Sequence, residues 1–242
     1  MLEASSLTLN STMNAVIVNV TVGGAGADNV ATYGSISINT IVGEVLAFIA
    51  DSTITADSKV ELVALNNADI SSLAGALGVA KNIAVGAGLA ANYIGGYDGI
   101  FEPYQVAAYI DNSRVIVGNG NLKLWSYSNA IIKSISAVGS FAGKKAAVNG
   151  AVSLNYINTN ILAYIMDCSS PAGTSAEESK YILAKGDILL EAVDNTAVSV
   201  LAGNIAGSRG TGVGAAIAVV FIGSLQNDPF EQYKNNELID DY

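Results

Sequence analysis

The chain repeats one pattern four times, and this repetition constrains the fold more than any other feature of the sequence. Each copy opens with asparagine, closes with isoleucine after a nearly constant interval, and follows a short stretch in which polar and apolar residues alternate. A unit that cannot bury its apolar face alone must stack on copies of itself. The four copies are Asn14–Ile41, Asn67–Ile94, Asn129–Ile157 and Asn195–Ile222.

The repeat register extends along most of the chain and therefore indicates one continuous body. We predict a repeat domain at 1–224, followed by an acidic, polar C-terminal tail at 225–242. A further short apolar element follows each of the first three copies, whereas the fourth copy runs into the tail before reaching it. We therefore expect that the chain is part of a longer parent chain with neighbouring repeats. The approximate repeat bounds are 2–57, 58–119, 120–185 and 186–224.

Strict alternation in the second half of each copy predicts a β-strand. In the third copy Val148, Val152 and Leu154 face one way, while Asn149 and Ser153 face the other. We expect the aliphatic face to fill a core and the small, polar face to lie close to another layer. In the first half, apolar residues recur three apart, which also fits a helix. Its glycines each lower helical propensity by up to about 1 kcal/mol, so we favour strand there too.

Short alternating strands broken by Asn and Gly corners, as between Ala108 and Leu124, are typical of a β-helix. The sequence thus predicts an all-β fold, a β-solenoid of about four repeats, with protruding loops at Gly95–Gln105 and Ser169–Lys185. Stacked coils align equivalent side chains. We therefore expect two aromatic ladders, one of Phe48, Tyr109 and Tyr164 and the other of Tyr93, Tyr156 and Phe221.

Composition excludes several classes of function. The net charge is −10 and the basic residues form no stripe, so nucleic acid is not an expected partner. The chain has no histidine, which removes the commonest general base and metal ligand. Its one cysteine, Cys168, cannot form an internal disulfide. The apolar runs are too short or too interrupted for a transmembrane segment. We predict that the chain is not an enzyme and needs no cofactor or metal.

Carboxylates and glycines support no catalytic or metal site in the sequence. Asp51, Asp111 and Asp167 each follow the aromatic element, where a corner-forming residue is expected. Glu177–Glu178 and Asp240–Asp241 lie in loop or tail contexts. The run from Gly23 to Asp28 matches the calcium-binding nonapeptide of β-helices only once.

Two groups of residues are candidates for binding. One group lies at equivalent turns of the repeat and consists of Lys81, Lys144, Lys145 and Arg209. These residues either contact acidic glycans or anionic lipid, or they are solvated loop tips that protect sheet edges. We favour the second interpretation. Trp125 and Tyr127 alternate beside Lys123, so they share one face of a strand. They either stack on sugar rings or fill ladder positions beneath a loop, and both interpretations are open.

The runs Asn67–Ile94 and Gly139–Ile157, with the Ala-Tyr-Ile-Asp element at 108–111, resemble the passenger repeats of leukotoxin-type filamentous adhesins. The resemblance covers nearly all of residues 2–222, whereas the tail departs from it. Such proteins are similar to filamentous haemagglutinins, which use type V, two-partner secretion. The resemblance implies a right-handed parallel β-helix, secreted or displayed on the surface of a Gram-negative bacterium in association with its outer membrane.

We accordingly expect a segment of a filamentous adhesin that acts as a rigid stalk and as a multivalent binding surface. Its expected partner is a host cell surface or matrix component, with a glycan as one candidate. The alternative is a leukotoxin-like segment that acts on host membranes, which release of dye from vesicles would distinguish. A less favoured alternative is a polysaccharide-processing β-helix enzyme, which requires paired carboxylates in one groove.

Overall fold

The computed structural model describes residues 1–95, 104–170 and 179–223, and all its regular elements are β-strands. The prediction of an all-β chain is confirmed, including the strand in the first half of each copy. Residues 96–103 of the first predicted loop and 171–178 of the second lie outside the described residues, as do the paired acids Glu177–Glu178 and Asp240–Asp241 and the tail at 225–242. The prediction of a loop throughout Ser169–Lys185 is wrong at its end, where Ile182–Ala184 is a strand. Within the described ranges, no helix has the length and hydropathy needed to cross a membrane.

The strands recur in a similar order in each copy, although two short strands in the third and fourth copies replace one long strand of the second, and the described part of the fourth copy ends after β17. The first copy has β1 (Leu2–Met13), β2 (Val16–Ala27), β3 (Val30–Ile41) and β4 (Glu44–Ala50), and the second has β5 (Thr53–Asn66), β6 (Asp69–Ala80), β7 (Ile83–Ile94) and β8 (Tyr104–Asp111). The third has β9 (Arg114–Val117), β10 (Leu122–Ser128), β11 (Ile131–Ala142), β12 (Ala146–Ile157) and β13 (Thr159–Met166). The fourth has β14 (Ile182–Ala184), β15 (Ile188–Asp194), β16 (Ala197–Ser208) and β17 (Thr211–Ile222).

Each strand pairs in parallel with its equivalents in neighbouring copies, so four sheets form. Sheet A has the order β14-β9-β5-β10-β15, with β1 also paired to β5, and sheet B has the order β16-β11-β6-β2. Sheet C has the order β17-β12-β7-β3, and sheet D has the order β13-β8-β4. The register of sheets B and C is unbroken over twelve residues per strand. Equivalent side chains therefore form columns across the copies.

The main hydrophobic core lies among sheets A and D, the first residues of sheet B and the last residues of sheet C. Inward-facing Val60, Leu62 and Leu124 of sheet A are completely buried there. Ile70 at the start of sheet B and Ile94 at the end of sheet C close the same core. Strands of period two supply this core because alternate residues share a face.

Beyond this core, sheets B and C continue as a two-layer projection, which we call the arm. The expectation that its aliphatic face fills a core is wrong. Val148 is 40% exposed on the outer face, whereas Ser153 and Ala151 are buried between the sheets. The layers are too close for large side chains, since a Cβ on Gly88 would lie 2.8 Å from Cγ2 of Val138. The small face does lie close to another sheet, as predicted.

A column of asparagines supplies hydrogen bonds inside the arm. Asn39 donates from Nδ2 to Oδ1 of Asn92 at 2.8 Å, and Asn92 donates to Oδ1 of Asn155 at 2.8 Å. Asn92 also donates to Oγ of Ser134 at 3.0 Å across the two sheets. Buried polar groups are costly unless they are paired. The column therefore specifies how the two sheets lie on each other.

Aromatic rings stack along two columns on the outside of the sheets. On sheet D the ring centroids of Phe48 and Tyr109 are 5.1 Å apart, and those of Tyr109 and Tyr164 are 5.0 Å apart, with nearly parallel planes. At the end of sheet C, Tyr156 stacks on Phe221 at 4.7 Å and tilts against Tyr93 at 6.4 Å. In-register pairing places these rings next to one another.

The corner after sheet D uses the left-handed backbone conformation in each described copy. Asp51, Asn112 and Asp167 have φ of 48°, 46° and 51°. Asp and Asn tolerate this conformation better than most residues. The prediction of corner-forming aspartates is correct for Asp51 and Asp167 but wrong by one residue for Asp111, which ends β8 while Asn112 turns the chain.

Candidate functional site

The outer face of β10 carries the clearest combination of side chains for binding a ligand. Strand alternation points Leu122 and Leu124 into the main core and leaves Lys123, Trp125 and Tyr127 half-buried on the outside. In the parallel register, Trp125 lies between Val63 of β5 and Glu191 of β15. Its column neighbours are therefore not aromatic. We call Lys123, Trp125 and Tyr127 the β10 platform.

The rings of the β10 platform are tilted against each other. Their centroids are 6.0 Å apart and their planes differ by 53°. Lys123 places Nζ 4.4 Å from the centroid of the Trp125 ring, a cation–π contact. Trp125 Nε1 is buried without a hydrogen-bond partner in the described part of the chain. The indole is thus held by Lys123 and Tyr127 with no hydrogen bond from its own N–H.

Charged and polar neighbours fix the edges of the platform. Glu61 on the adjacent strand lies 4.0 Å from Nζ of Lys123 and 3.0 Å from Nζ of Lys59. Tyr127 accepts a hydrogen bond at its hydroxyl from Nδ2 of Asn195 at 3.1 Å. Aromatic faces stack on apolar faces of ligands, while carboxylates and amides bind hydroxyl groups. This combination is chemically suited to a polyhydroxylated ring such as a sugar.

The cationic turns lie at the far end of the arm. Lys81 pairs with Asp28 of the preceding copy at 2.5 Å, and both side chains are highly exposed. A groove of about 830 Å³ on the outer side of this end is lined by Lys81, Arg209, Asp28 and the ring of Phe141, among others. Lys144 and Lys145 lie in the equivalent turn but do not line that groove. Lys81 and Arg209 thus line the same groove, with the turn of the intervening copy between them.

The Asp28–Lys81 pair reduces the positive charge that this end offers to an anion. Exposed pairs of this kind contribute little stability, about 0–1 kcal/mol, so solvent and salt compete for them. No ion pair involves Arg209, Lys144 or Lys145 among the described residues. The turns remain candidate contacts for acidic groups.

No protein-family model, curated protein or solved structure matches this chain. Among the described residues, no group of three or more His, Cys, Asp or Glu side chains has the geometry to hold a metal ion.

A second polar cluster surrounds the corner after sheet D. Burial raises the pKa of the Asp111 carboxyl, and the charges of Asp167 and Asp51 raise it further. Asn112 donates to a carboxylate oxygen of Asp51 and accepts from Nζ of Lys180. Asn112 thus bridges Asp51 and Lys180, whereas Oδ1 of Asp111 is buried without a hydrogen-bond partner among the described residues.

Cys168 belongs to this same corner. It donates from Sγ to the carbonyl of Met166 at 3.1 Å, as Ser52 and Ser113 donate from Oγ to Ala50 and Asp111. Burial raises the pKa of its thiol, which lowers the fraction of reactive thiolate at neutral pH. The cysteine therefore replaces a corner serine.

Sequence reasoning found the β10 platform but missed the uncharged outer surface of sheet C. None of β3, β7, β12 and β17 contains a charged residue. Alternation identifies the two faces of each strand but not which one is inside. The column of Asn39, Asn92 and Asn155 could have identified the inner face, since a ladder of hydrogen-bonded amides needs protection from water.

Proposed function

We propose that the chain is a segment of a secreted or surface-displayed bacterial filamentous adhesin, built as a right-handed parallel β-helix (β-solenoid). In this proposal the stacked copies are a rigid stalk, and outward-facing side chains bind a host cell or matrix component. Multivalency then raises avidity without requiring a deep pocket.

The repeated register supports the stalk role. Every strand of sheets B and C pairs along its whole length with the equivalent strand of the next copy. Stability in such arrays is a sum over neighbouring copies, so the stack can lengthen without a new core. Stacked rings and the amide column connect the same copies side chain to side chain.

The β10 platform is the observation that carries the binding role. Trp125 and Tyr127 present partly buried rings beside Glu61 and Lys123 on the outer face of sheet A. This supports a glycan as the ligand class, because rings and charged hydrogen-bonding groups meet on one surface.

The proposal is tested by binding of the chain to intact host cells and to an array of immobilised glycans. Trp125→Ala is expected to weaken binding about tenfold or more, as removal of a central aromatic anchor does. Phe48→Ala is the matched control, because Phe48 is also an exposed ring, 46% accessible, but lies on sheet D. Equal binding by both variants and the unmodified chain would show that the platform is not the binding site.

Recording dye release from lipid vesicles in parallel separates adhesion from the leukotoxin-like alternative. Binding to cells without release supports the adhesin. Release that persists in Trp125→Ala would instead assign the activity to membranes and to a different surface of the chain.

A further inference from the structure

The outer face of sheet C is an extended apolar surface that contains no charged residue. Its four strands present aliphatic residues outward, with Ile36 64% and Ile217 55% exposed. Four strands about 4.8 Å apart and twelve residues of about 3.3 Å give an area of about 750 Å² for the whole face, in which the outward residues Ala91 and Tyr156 are already buried. Most single apolar patches on monomers are smaller, about 300–600 Å².

One groove of small residues crosses this face between two ridges of larger ones, because the register is unbroken from β3 to β17. The groove consists of Gly34, Ala87, Gly150 and Ala215. One ridge consists of Ile36, Leu89, Val152 and Ile217, and the other of Thr32, Val85, Val148 and Val213.

We propose that the outer face of sheet C binds the same face of a second copy of the chain, with the Val152 ridge of each copy in the Gly150 groove of the other. A two-fold axis parallel to the direction of stacking, midway between ridge and groove, produces this fit at every rung. An isologous contact of this kind is closed and gives a dimer. The inference concerns assembly and does not depend on the ligand of the proposed adhesin.

Area and charge favour a second copy as the occupant. A stable interface buries about 800 Å² per partner, close to the area of this face. Neither copy brings a charge to the contact, so no ion loses its hydration there. The fit places the Val152 ridge of each copy over the Gly150 groove of the other, and the Val148 ridge then faces the column of Ile38, Ala91, Leu154 and Val219.

The opposite face of the arm is less suited to such a contact. Sheet B places Asp69 and Lys133 on its outer face, 3.7 Å apart. Some of its columns mix large and small residues, as in Gly26, Val79, Phe141 and Gly207. Its one continuous ridge, of Val20, Leu73, Ile135 and Leu201, lies beside a column of small residues that Val22 interrupts, so no unbroken groove accompanies the ridge.

Lipid is a poorer occupant than protein. In the described part of the chain, β3 and β17 are edge strands of sheet C with unpaired backbone groups along one side. Open sheet edges are not tolerated in the hydrocarbon region of a membrane. A face-to-face dimer leaves those edges in water.

The first test measures molar mass by light scattering over a wide range of concentrations of the 242-residue chain, with Gly150→Val compared with Ala137→Val. The first variant fills the groove of sheet C. Its new Cβ meets nothing nearer than the carbonyl oxygen of Ala215 at 3.8 Å, so the strand itself tolerates it. The second adds valine to the outer face of sheet B in the same copy. We expect Gly150→Val to weaken dimerisation about tenfold or more, because both symmetry-related grooves are blocked, and Ala137→Val to leave it unchanged.

The second test is the double variant Gly150→Val with Val152→Gly, which exchanges ridge and groove on one rung. In the proposed dimer residue 150 faces residue 152 of the other copy, so every facing pair still contains one valine and one glycine. Recovery of dimerisation by the double variant is expected, and thermal unfolding verifies that each variant is folded. If the double variant does not fold, the comparison of the two single variants decides.

Several results would overturn the proposal. They are an unmodified chain that is monomeric at every concentration, dimerisation that survives Gly150→Val, or a folded double variant that stays monomeric. Weakening by Ala137→Val alone would move the interface to sheet B. A monomer that co-floats with neutral phospholipid vesicles would identify lipid as the occupant.

Discussion

Replacing Asn92 by alanine removes the middle of the buried amide column between sheets B and C. Asn92 accepts one hydrogen bond, from Asn39, and donates two, to Ser134 and Asn155. It is completely buried, so water cannot replace these partners without opening the arm. The substitution is therefore expected to be among the most costly single changes in the arm.

The size of the destabilisation depends on which hydrogen-bond partners of Asn92 have a second partner. The amide of Asn39 retains Oγ of Ser37 at 3.1 Å, and Ser134 retains Oγ of Ser153 at 2.8 Å. The carbonyl oxygen of Asn155 loses its donor and is left unpaired. Three hydrogen bonds are lost, at about 1 kcal/mol each, which gives a destabilisation of about 3 kcal/mol. The cost of leaving the Asn155 oxygen unpaired, about 1–3 kcal/mol, is included in this total and is not added to it.

Asn82→Ala is the matched control. Asn82 also donates from Nδ2 to an asparagine of the first copy, Oδ1 of Asn29 at 2.8 Å, but this bond is exposed at the end of the arm. Its loss should cost no more than about 0.5 kcal/mol, since water replaces the partner. Urea unfolding followed by circular dichroism measures both, as a shift in midpoint at unchanged slope. Equal shifts for the two variants would refute the structural role assigned to the column.

Three further outcomes are expected from the same unfolding assay. Asp111→Asn should raise stability at neutral pH, because the folded-state pKa of Asp111 is raised and its ionised form is disfavoured by folding; the gain should disappear as the pH falls below the usual aspartate value of 3.8. Gly86→Ala should cost about 1–3 kcal/mol, since its Cβ would lie 2.3 Å from Cε2 of Tyr33, and adding Tyr33→Ala should remove most of that penalty. Asp167→Gly should change stability little, because relief of the left-handed φ of 51° is offset by the greater entropy of glycine in the unfolded chain, whereas Asp167→Val should destabilise by about 1 kcal/mol or more. A penalty for Gly86→Ala that is unaffected by Tyr33→Ala, or Asp167→Gly and Asp167→Val with equal effects, would contradict the corresponding contact.

Much of the candidate site could be predicted from alternation alone. Lys123, Trp125 and Tyr127 are two residues apart, so a strand places them on one face whatever it pairs with. Their neighbours could not be predicted, because Glu61 and Glu191 reach the platform only through the register of sheet A. The tilt of the rings and the position of Lys123 over Trp125 are likewise properties of packing.

The arm shows where the sequence pattern is ambiguous. A strand that alternates valine with serine or asparagine has two distinguishable faces, and hydrophobicity favours burial of the aliphatic one. In the structure the small face is inside, because Ser153, Ala151 and Gly88 let the two sheets approach and the amides pair across the gap. Burial of hydrogen-bonded polar side chains depends on partners from other copies, which no single copy reveals.

The sequence by itself determined the repeat, the strands and the order in which they recur, because a period of two and a fourfold register are local properties of the chain. It also determined which rings form columns, since equivalent positions in a repeat must align when the copies stack. Only the tertiary structure decided which face of sheets B and C is buried, where the corner residue of the second copy lies, and which side chains surround Trp125. Those outcomes depend on distances between layers and on hydrogen bonds between residues far apart in the chain.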